Sequence, residues 1–347
     1  MSRLPPRELT VLEAVSPPDG TTRYVDQVVS LAPGWVRFRY LGARALAGLG
    51  YDVLHVHWPD ALVRGRWHAL RCLGLVALLE LLRWRRIAVV RTLHNLQPHE
   101  QGGSRLEALA MRRLDDRTDY TVTINPVTPI PGGRGVYIPH GHYRDRFAGI
   151  ARAAVVPGRL LYAGLIRPYK GVDLLLSAFK ALDERSLTLR LVGKPSPELR
   201  AQIEQAQADD ARISSALAFV PDADLVAEMS AAELVCLPYR ELHNSGILLV
   251  ALSLDRPVLV PRTPTTLALA QEVGPGWIYL FDGELGADDL RRALAQVRAD
   301  TRAARPRLEG RDWAVVGEAY ARAFAEAARR TGRLPPTPAA AGMEARP

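Results

Sequence analysis

Two cations, Arg167 and Lys170, stand three residues apart in a short basic loop, Ile166-Arg167-Pro168-Tyr169-Lys170-Gly171. An apolar run, Leu160 to Ile166, precedes them. An amphipathic segment, Val172 to Leu182, follows, with Leu175, Ala178, Phe179 and Leu182 on one face. The pattern is strand, loop, helix. Two cations at the carboxyl end of a strand, a Gly that admits close backbone approach and a helix start with its partial positive charge want an anion, most naturally a diphosphate. The bland alternative is a surface loop with two solvated charges; the agreement of strand, loop and helix favours the anion. A second helix start, Asn244-Ser245-Gly246-Ile247, offers N–H groups and a hydroxyl to the same kind of ligand.

A second chemistry is suggested in the first half. His57, Asp60, His94, His99, Glu100, His140 and His142 all fall at or just past expected strand ends. Such groups suit general acid–base work, provided one lies within hydrogen-bond reach of the proton it takes. Each alone also suits an N-cap or a turn. His94 and His99 are five apart with Pro98 between them, so no helical face presents both, and no metal site is expected. His55 alternates with His57 and is assigned to the opposite side of its strand, as a structural residue.

These groups need a scaffold. Strands are expected over Glu8–Ala14, Tyr51–His57, Ile87–Leu93, Tyr120–Ile124 and Val136–Ile138, with a helix over Val36–Leu49. In the second half, strands Leu160–Ile166, Leu187–Val192, Ile213–Val220, Leu234–Tyr239, Val258–Pro261 and Gly276–Phe281 alternate with helices. Alternation implies an α/β class with parallel, doubly wound sheets, which collect strand-end residues on one rim. Residues 1–155 are expected as one domain and 156–312 as a second. A helix, 313–332, returns to the first, and a Pro/Ala-rich tail, 333–347, is expected to be disordered.

Composition excludes other classes. The 347 residues are 48% hydrophobic and 24% charged, as in soluble globular proteins. The net charge of +8 comes almost wholly from Arg, since the lysines are Lys170, Lys180 and Lys194 alone. With no zinc pattern, aromatic RNA-binding signature or basic tail, no nucleic acid is expected as partner. Cys72 and Cys236 sit in apolar runs and read as core thiols. No signal peptide or membrane-spanning run is visible, so a cytoplasmic location is expected. Residues 62–86 stand out. Leu73 to Leu82 is flanked by Arg64, Arg66, Trp67, Arg71, Arg83, Trp84, Arg85 and Arg86. That suits either a membrane-surface helix or a crossover helix buried on the sheet.

The Gly-Leu-Ile-Arg-Pro-Tyr-Lys-Gly loop with its helix, and Asp255-Arg256-Pro257-Val258 after a helix, resemble the GT-B glycosyltransferases that use nucleotide sugars. The resemblance implies two Rossmann-like domains facing a central cleft. Arg167 and Lys170 would hold the donor diphosphate, Gly193 and Lys194 would lie near the donor, and Val220 and Pro221 would touch the base. Asp60 or Glu100 would be the catalytic base, and His94 a contact to the transferred sugar. It also implies no cofactor and no required metal, because cations and helix dipoles carry the leaving-group charge. The chain departs from the retaining members, which carry two Glu eight residues apart here; the matching positions are Leu242 and Val250. It is similar instead to bacterial exopolysaccharide GDP-mannose:glycolipid β-mannosyltransferases, in its His-x-His-Trp-Pro-Asp strand end, its His-Asn-x-x-Pro-His-Glu loop and its Asn-Ser-Gly. That implies GDP-mannose as donor, a saccharide or lipid-linked saccharide as acceptor, and possible peripheral membrane contact through 62–86. A nucleotide-sugar 2-epimerase and a non-catalytic nucleotide-sugar binder are the alternatives.

Overall fold

The computed structural model describes residues 8–18, 24–94, 104–240 and 244–335. They form two compact units. The first holds the residues up to His140 together with those from Gly310 onward; the second is Gly141–Glu309. The division falls at 140/141 and not at 155/156, so segment 141–155 packs with the second unit.

In the first unit the order is β1 (Leu9–Glu13), α1 (Tyr24–Ser30), β2 (Val36–Tyr40), α2 (Ala43–Gly48), β3 (Val53–Val56), α3 (Asp60–Val63), α4 (His68–Trp84), β4 (Ala88–Leu93), α5 (Arg105–Arg117), β5 (Tyr120–Thr123) and β6 (Gly135–Tyr137). The six strands are all parallel, in the order β2-β1-β3-β4-β5-β6. The helix expected over 36–49 is therefore corrected. Val36-Arg37-Phe38-Arg39-Tyr40 alternates apolar and charged residues, the period of a strand, and only 43–48 is helical.

The second unit runs β7 (Arg159–Ala163), α6 (Val172–Lys180), β8 (Thr188–Val192), α7 (Pro197–Asp209), β9 (Ile213–Ala216), α8 (Asp222–Ala231), β10 (Leu234–Cys236), α9 (Gly246–Ser253), β11 (Val258–Pro261), α10 (Pro264–Val273), β12 (Ile278–Phe281) and α11 (Ala287–Ala299). Its parallel sheet has the order β12-β11-β10-β7-β8-β9. The strand order reverses between β7 and β10, the place where open sheets leave a crevice for ligands. In the first unit the reversal lies between β1 and β3.

Each sheet is buried on both faces, which is why its strands read as apolar runs. In the first unit one face packs Leu9, Val11, Val53, Ala88 and Val90 against α12 (Trp313–Arg330), through Val316, Tyr320 and Phe324. The other face packs Leu54, Val56 and Val89 against Cys72, Leu75, Leu79 and Leu82 of α4 and Leu114 of α5. Arg333 and Leu334, expected in a disordered tail, are placed: Leu334 is buried and Arg333 Nε lies 3.0 Å from Asp52 Oδ1. Residues 336–347 lie outside the described residues.

Candidate functional site

The basic loop follows β7 at the switch point of the second sheet. Its path depends on glycine at two positions. Gly171 has φ +66°, and a Cβ there would lie 2.0 Å from the Pro238 carbonyl oxygen. Gly193, after β8, has φ +143°, and a Cβ would lie 1.9 Å from the Gly164 carbonyl oxygen. Both sites combine a backbone that L side chains avoid with a contact that leaves no room for one.

The two cations are pinned. Arg167 Nη1 donates to the carbonyls of Ile166, at 2.8 Å, and Lys194, at 3.1 Å. Lys170 Nζ donates to Tyr239 Oη at 3.1 Å and sits over the Tyr239 ring, 4.5 Å from its centroid. Burial, with the charge of Arg167 added, lowers the Lys170 ammonium to about 8. The Tyr239 hydroxyl is raised, chiefly by burial, with the nearby Ser245 side chain opposing the shift in part. Ser245 caps α9, accepting from Leu248 N at 3.4 Å. The lysine–tyrosine pair thus lies beside the serine-capped helix start. Like charges crowded in a half-buried site are relieved by an anion.

The other expected donor residues fall around this group. Ile247 packs toward Gly164 at the end of β7, and Tyr143 Oη reaches to 3.2 Å from a Cβ built on Gly246. Asn244 is described and half-buried; Glu241, Leu242 and His243 lie outside the described residues. Gly193 is buried, and the Lys194 side chain is exposed. β9 ends at Ala216 and not at Val220, because the chain turns at 217–221 into α8. Val220 and Pro221 of that turn line a cavity of about 410 Å³ with Val192 and Phe219. The turn is two strands from β7, about 10 Å across the sheet. Val250 is 5% exposed within the core of the second unit, so it presents no group to a sugar hydroxyl.

In the first unit the histidines divide. His57 follows β3 and His94 follows β4; His57 Nδ1 and His94 Nε2 are 3.0 Å apart. The His94 ring stacks on exposed Trp58, centroids 4.8 Å apart at 18°, and meets the edge of Tyr24. His140 packs edge-on to Tyr24 and Trp313. His142 belongs to the second unit. Asp60 opens α3, where its carboxylate lies 3.5 Å from Arg64 Nη1 and is 42% exposed. His99 and Glu100 lie outside the described residues.

The assignment of His55 is corrected. Residues two apart in a strand share a face, and His55 and His57 both approach Glu13, at 3.0 and 3.3 Å. Glu13 is wholly buried and was missed, although a charged residue closing the apolar run Leu-Thr-Val-Leu-Glu is itself a signal. Tyr24 and Tyr320 were missed as well. Glu13, His55 and His57 bring their ligand atoms within 4.8 Å of one another. His55 Nδ1 is on Glu13 and His55 Nε2 is on Thr92 Oγ1 at 2.8 Å, so both ring nitrogens are engaged without an ion.

Helix α4 buries Cys72, Leu75, Leu79 and Leu82 and exposes Leu70, Leu73 and Leu81. Trp67 and Trp84 at its ends are 67% and 73% exposed, under Arg66 and Arg85. One stripe therefore faces the sheet, as expected of a crossover helix, and a second apolar stripe is exposed. Among the described residues no helix is long and apolar enough to cross a membrane.

Residues 157–300 match the family model described as "Glycosyl transferases group 1". Two GDP-mannose:glycolipid 4-beta-D-mannosyltransferases of Xanthomonas campestris pv. campestris are 45% and 44% identical over 331 residues, 93% of this chain and 94% of theirs. Among solved structures, HepE of Anabaena in complex with UDP aligns at TM-score 0.56 with 14% identity, over 94% of this chain and 98% of that one. The catalytic domain of starch synthase IV from Arabidopsis thaliana, bound to ADP and acarbose, aligns at 0.60 with 12% identity, over 94% and 99%. These two likenesses carry the fold alone.

Proposed function

The chain belongs to the glycosyltransferase family that contains the GDP-mannose:glycolipid 4-β-mannosyltransferases, and from that premise we propose that it moves mannose from GDP-mannose to a hydroxyl of a lipid-linked saccharide. The observation that carries the donor half is the pair Arg167 and Lys170. Both side chains are anchored, and Lys170 is bonded to Tyr239, which lies beside the Ser245 cap of α9 at the sheet's switch point. Their charge supports a bound diphosphate and stabilises it further as it leaves. The turn at Val220 and Pro221 takes the base. On this reading no cofactor takes part and no metal is required, because the developing negative charge meets two cations and the N-terminus of α9.

GDP-mannose carries its sugar in α linkage, so a β product demands one in-line displacement with inversion. The buried Val250 and the relatives' names both support that outcome over retention. Asp60 and Glu100 are the carboxylates offered as base, with His94 at the neighbouring strand end. A lipid-linked acceptor gives the uncovered face of α4 a use. Trp67, Leu70, Leu73 and Trp84, with Arg66, Arg71 and Arg85 around them, suit the headgroup level of an anionic membrane at its cytoplasmic surface.

The test is calorimetric titration with GDP, UDP and ADP in the presence of EDTA, followed by transfer assays on lipid-linked acceptors. GDP-selective binding without metal, weakened in both Arg167→Ala and Lys170→Ala, is expected. Unchanged affinity in both variants refutes the diphosphate assignment.

A further inference from the structure

The turn into α8 leaves a large aromatic ring in water. Phe219 is 78% exposed. An exposed ring alone means little. This one lines a cavity of about 410 Å³, together with Val220, Pro221 and one face of α8. There it offers a flat apolar face to anything planar that enters.

The carboxylates of the same cavity divide into a committed one and an open one. Glu228 of α8 takes Arg190 through Nε at 2.9 Å and Nη2 at 2.7 Å, and its other oxygen bonds Arg159. Both its oxygens are committed, and the triad ties α8 to β7 and β8. Asp224 stands one helical turn earlier on the same face and lines the cavity too. It is exposed and engages no other group among the described residues.

The place of Asp224 in its helix does not account for it. Pro221 is the N-cap, so Asp224 is the third residue of α8. A carboxylate at that position ordinarily reaches back to the N–H of the N-cap residue. Proline has no N–H to give. Asp222, the first residue, already supplies the negative charge that a helix start favours, and it pairs with Arg146 at 2.7 Å.

An open carboxylate beside an exposed ring suits a flat group with two adjacent N–H donors. Guanine has them. Its N1–H and exocyclic N2–H point the same way and match the two oxygens of a carboxylate in a fork. At the corresponding edge adenine presents the N1 lone pair, and uracil flanks its N3–H with carbonyl oxygens. Each of those sets an acceptor against the carboxylate. The two strands between this turn and the basic loop leave about 10 Å, room for the ribose between base and diphosphate. All of these groups belong to the second unit.

We infer that Asp224 is the specificity-determining residue for the donor base, accepting N1–H and N2–H of guanine together, while Phe219 stacks on the face of the ring. The inference rests on GDP-mannose as the donor and names the groups that select it. A site built to pair a donor rejects the analogue that lacks it, because its own polar group is then left unmet.

The test is calorimetric titration of the full chain with GDP, UDP, ADP and inosine diphosphate, which is GDP without the 2-amino group. GDP should bind about tenfold or more tightly than inosine diphosphate; equal affinity overturns the inference. Asp224→Asn should cost GDP about tenfold to a hundredfold, the value of hydrogen bonds to a charged group, without weakening UDP or ADP. The same variant should bind xanthosine diphosphate about tenfold or more tightly than the parent does, because the C2 carbonyl of xanthine then meets an amide N–H in place of a carboxylate. An equal loss with every nucleotide would make Asp224 structural and overturn the inference, as would undiminished GDP binding. Phe219→Ala should weaken GDP and inosine diphosphate alike, about fivefold or more, since stacking reads the ring face and not its edge; unchanged affinity overturns the stacking assignment. A preference for UDP or ADP in the unmodified chain removes GDP-mannose as donor and the inference with it. GDP selectivity that ignores Asp224 removes the inference and leaves the donor standing.

Discussion

Replacing Lys170 by Met should make the empty protein more stable and its donor binding weaker. The ammonium is held at about 8 instead of 10.5 by burial and by Arg167. That difference corresponds to about 3 kcal/mol for keeping the charge in the folded, unliganded site. The sign follows from proton counts. Below pH 8 the lysine is charged in both states, so the full penalty applies. Between about 8 and 10.5 the folded state has released its proton while the unfolded state has not, and the penalty fades. Met also forfeits the 3.1 Å bond to Tyr239, about 1 kcal/mol. The net gain near pH 7 is about 2 kcal/mol, or roughly 5 °C in the melting of the unit that carries it. A charge-assisted bond to the diphosphate is worth about 1.5–3 kcal/mol, so GDP affinity should fall about tenfold to a hundredfold. In the unmodified protein affinity should also drop about tenfold from pH 7 to pH 9, as the free lysine loses its proton near 8. Lys170→Met should lack that component, and comparing the two proteins cancels the titration of the nucleotide. Calorimetric titration at several pH values and thermal melts without ligand measure both halves. Equal GDP affinity in the two proteins, or a pH dependence that persists in the variant, would refute the reasoning.

Gly171→Ala should destabilise by at least about 1–2 kcal/mol through the left-handed backbone alone, with the 2.0 Å approach to Pro238 added; a melt within a degree of the parent contradicts the geometry. Stability should fall with acid in two stages. His57, lowered to about 4, costs stability as pH drops from about 6.5 toward 4, and the ionised Glu13, at about 2, loses its contribution from about 4.5 downward. Urea midpoints across pH 3–7 read this, and Glu13→Gln should flatten the lower stage. Replacing Trp67 and Trp84 together by Ser should lower binding to anionic vesicles about tenfold or more in sedimentation, with GDP binding unchanged; equal vesicle binding removes α4 as the membrane face.

The donor loop was legible because its parts are contiguous. Strand, cations, glycine and helix lie within one stretch around Arg167, and each part constrains the next. The capped start of α9 was legible for the same reason. The Glu13–His57–His94 row was not, because it joins three strands distant in sequence and exists only through sheet register. Of its members His57 and His94 were noted singly, and the face shared by His55 and His57 was misassigned. His142 looked like one more strand-end histidine until the unit boundary at 140/141 separated it from the rest. At Val36–Tyr40 the arginines facing outward from an edge strand read, by sequence alone, as part of the helix that begins only at Ala43.

Helix α12 bears on how the chain comes to be folded during synthesis. The second unit is one uninterrupted segment and has all its strands once Phe281 has emerged. The first unit, though translated earlier, lacks Val316, Tyr320 and Phe324 until the ribosome has passed residue 324. Tyr320 Oη also closes the polar chain at Thr92, 3.1 Å away, and at Tyr24, 2.9 Å away. The usual order, in which the N-terminal domain matures first, is therefore inverted. The nascent first unit must wait with an apolar sheet face uncovered, and the histidines at its rim gain their final surroundings only after the whole second unit has been translated.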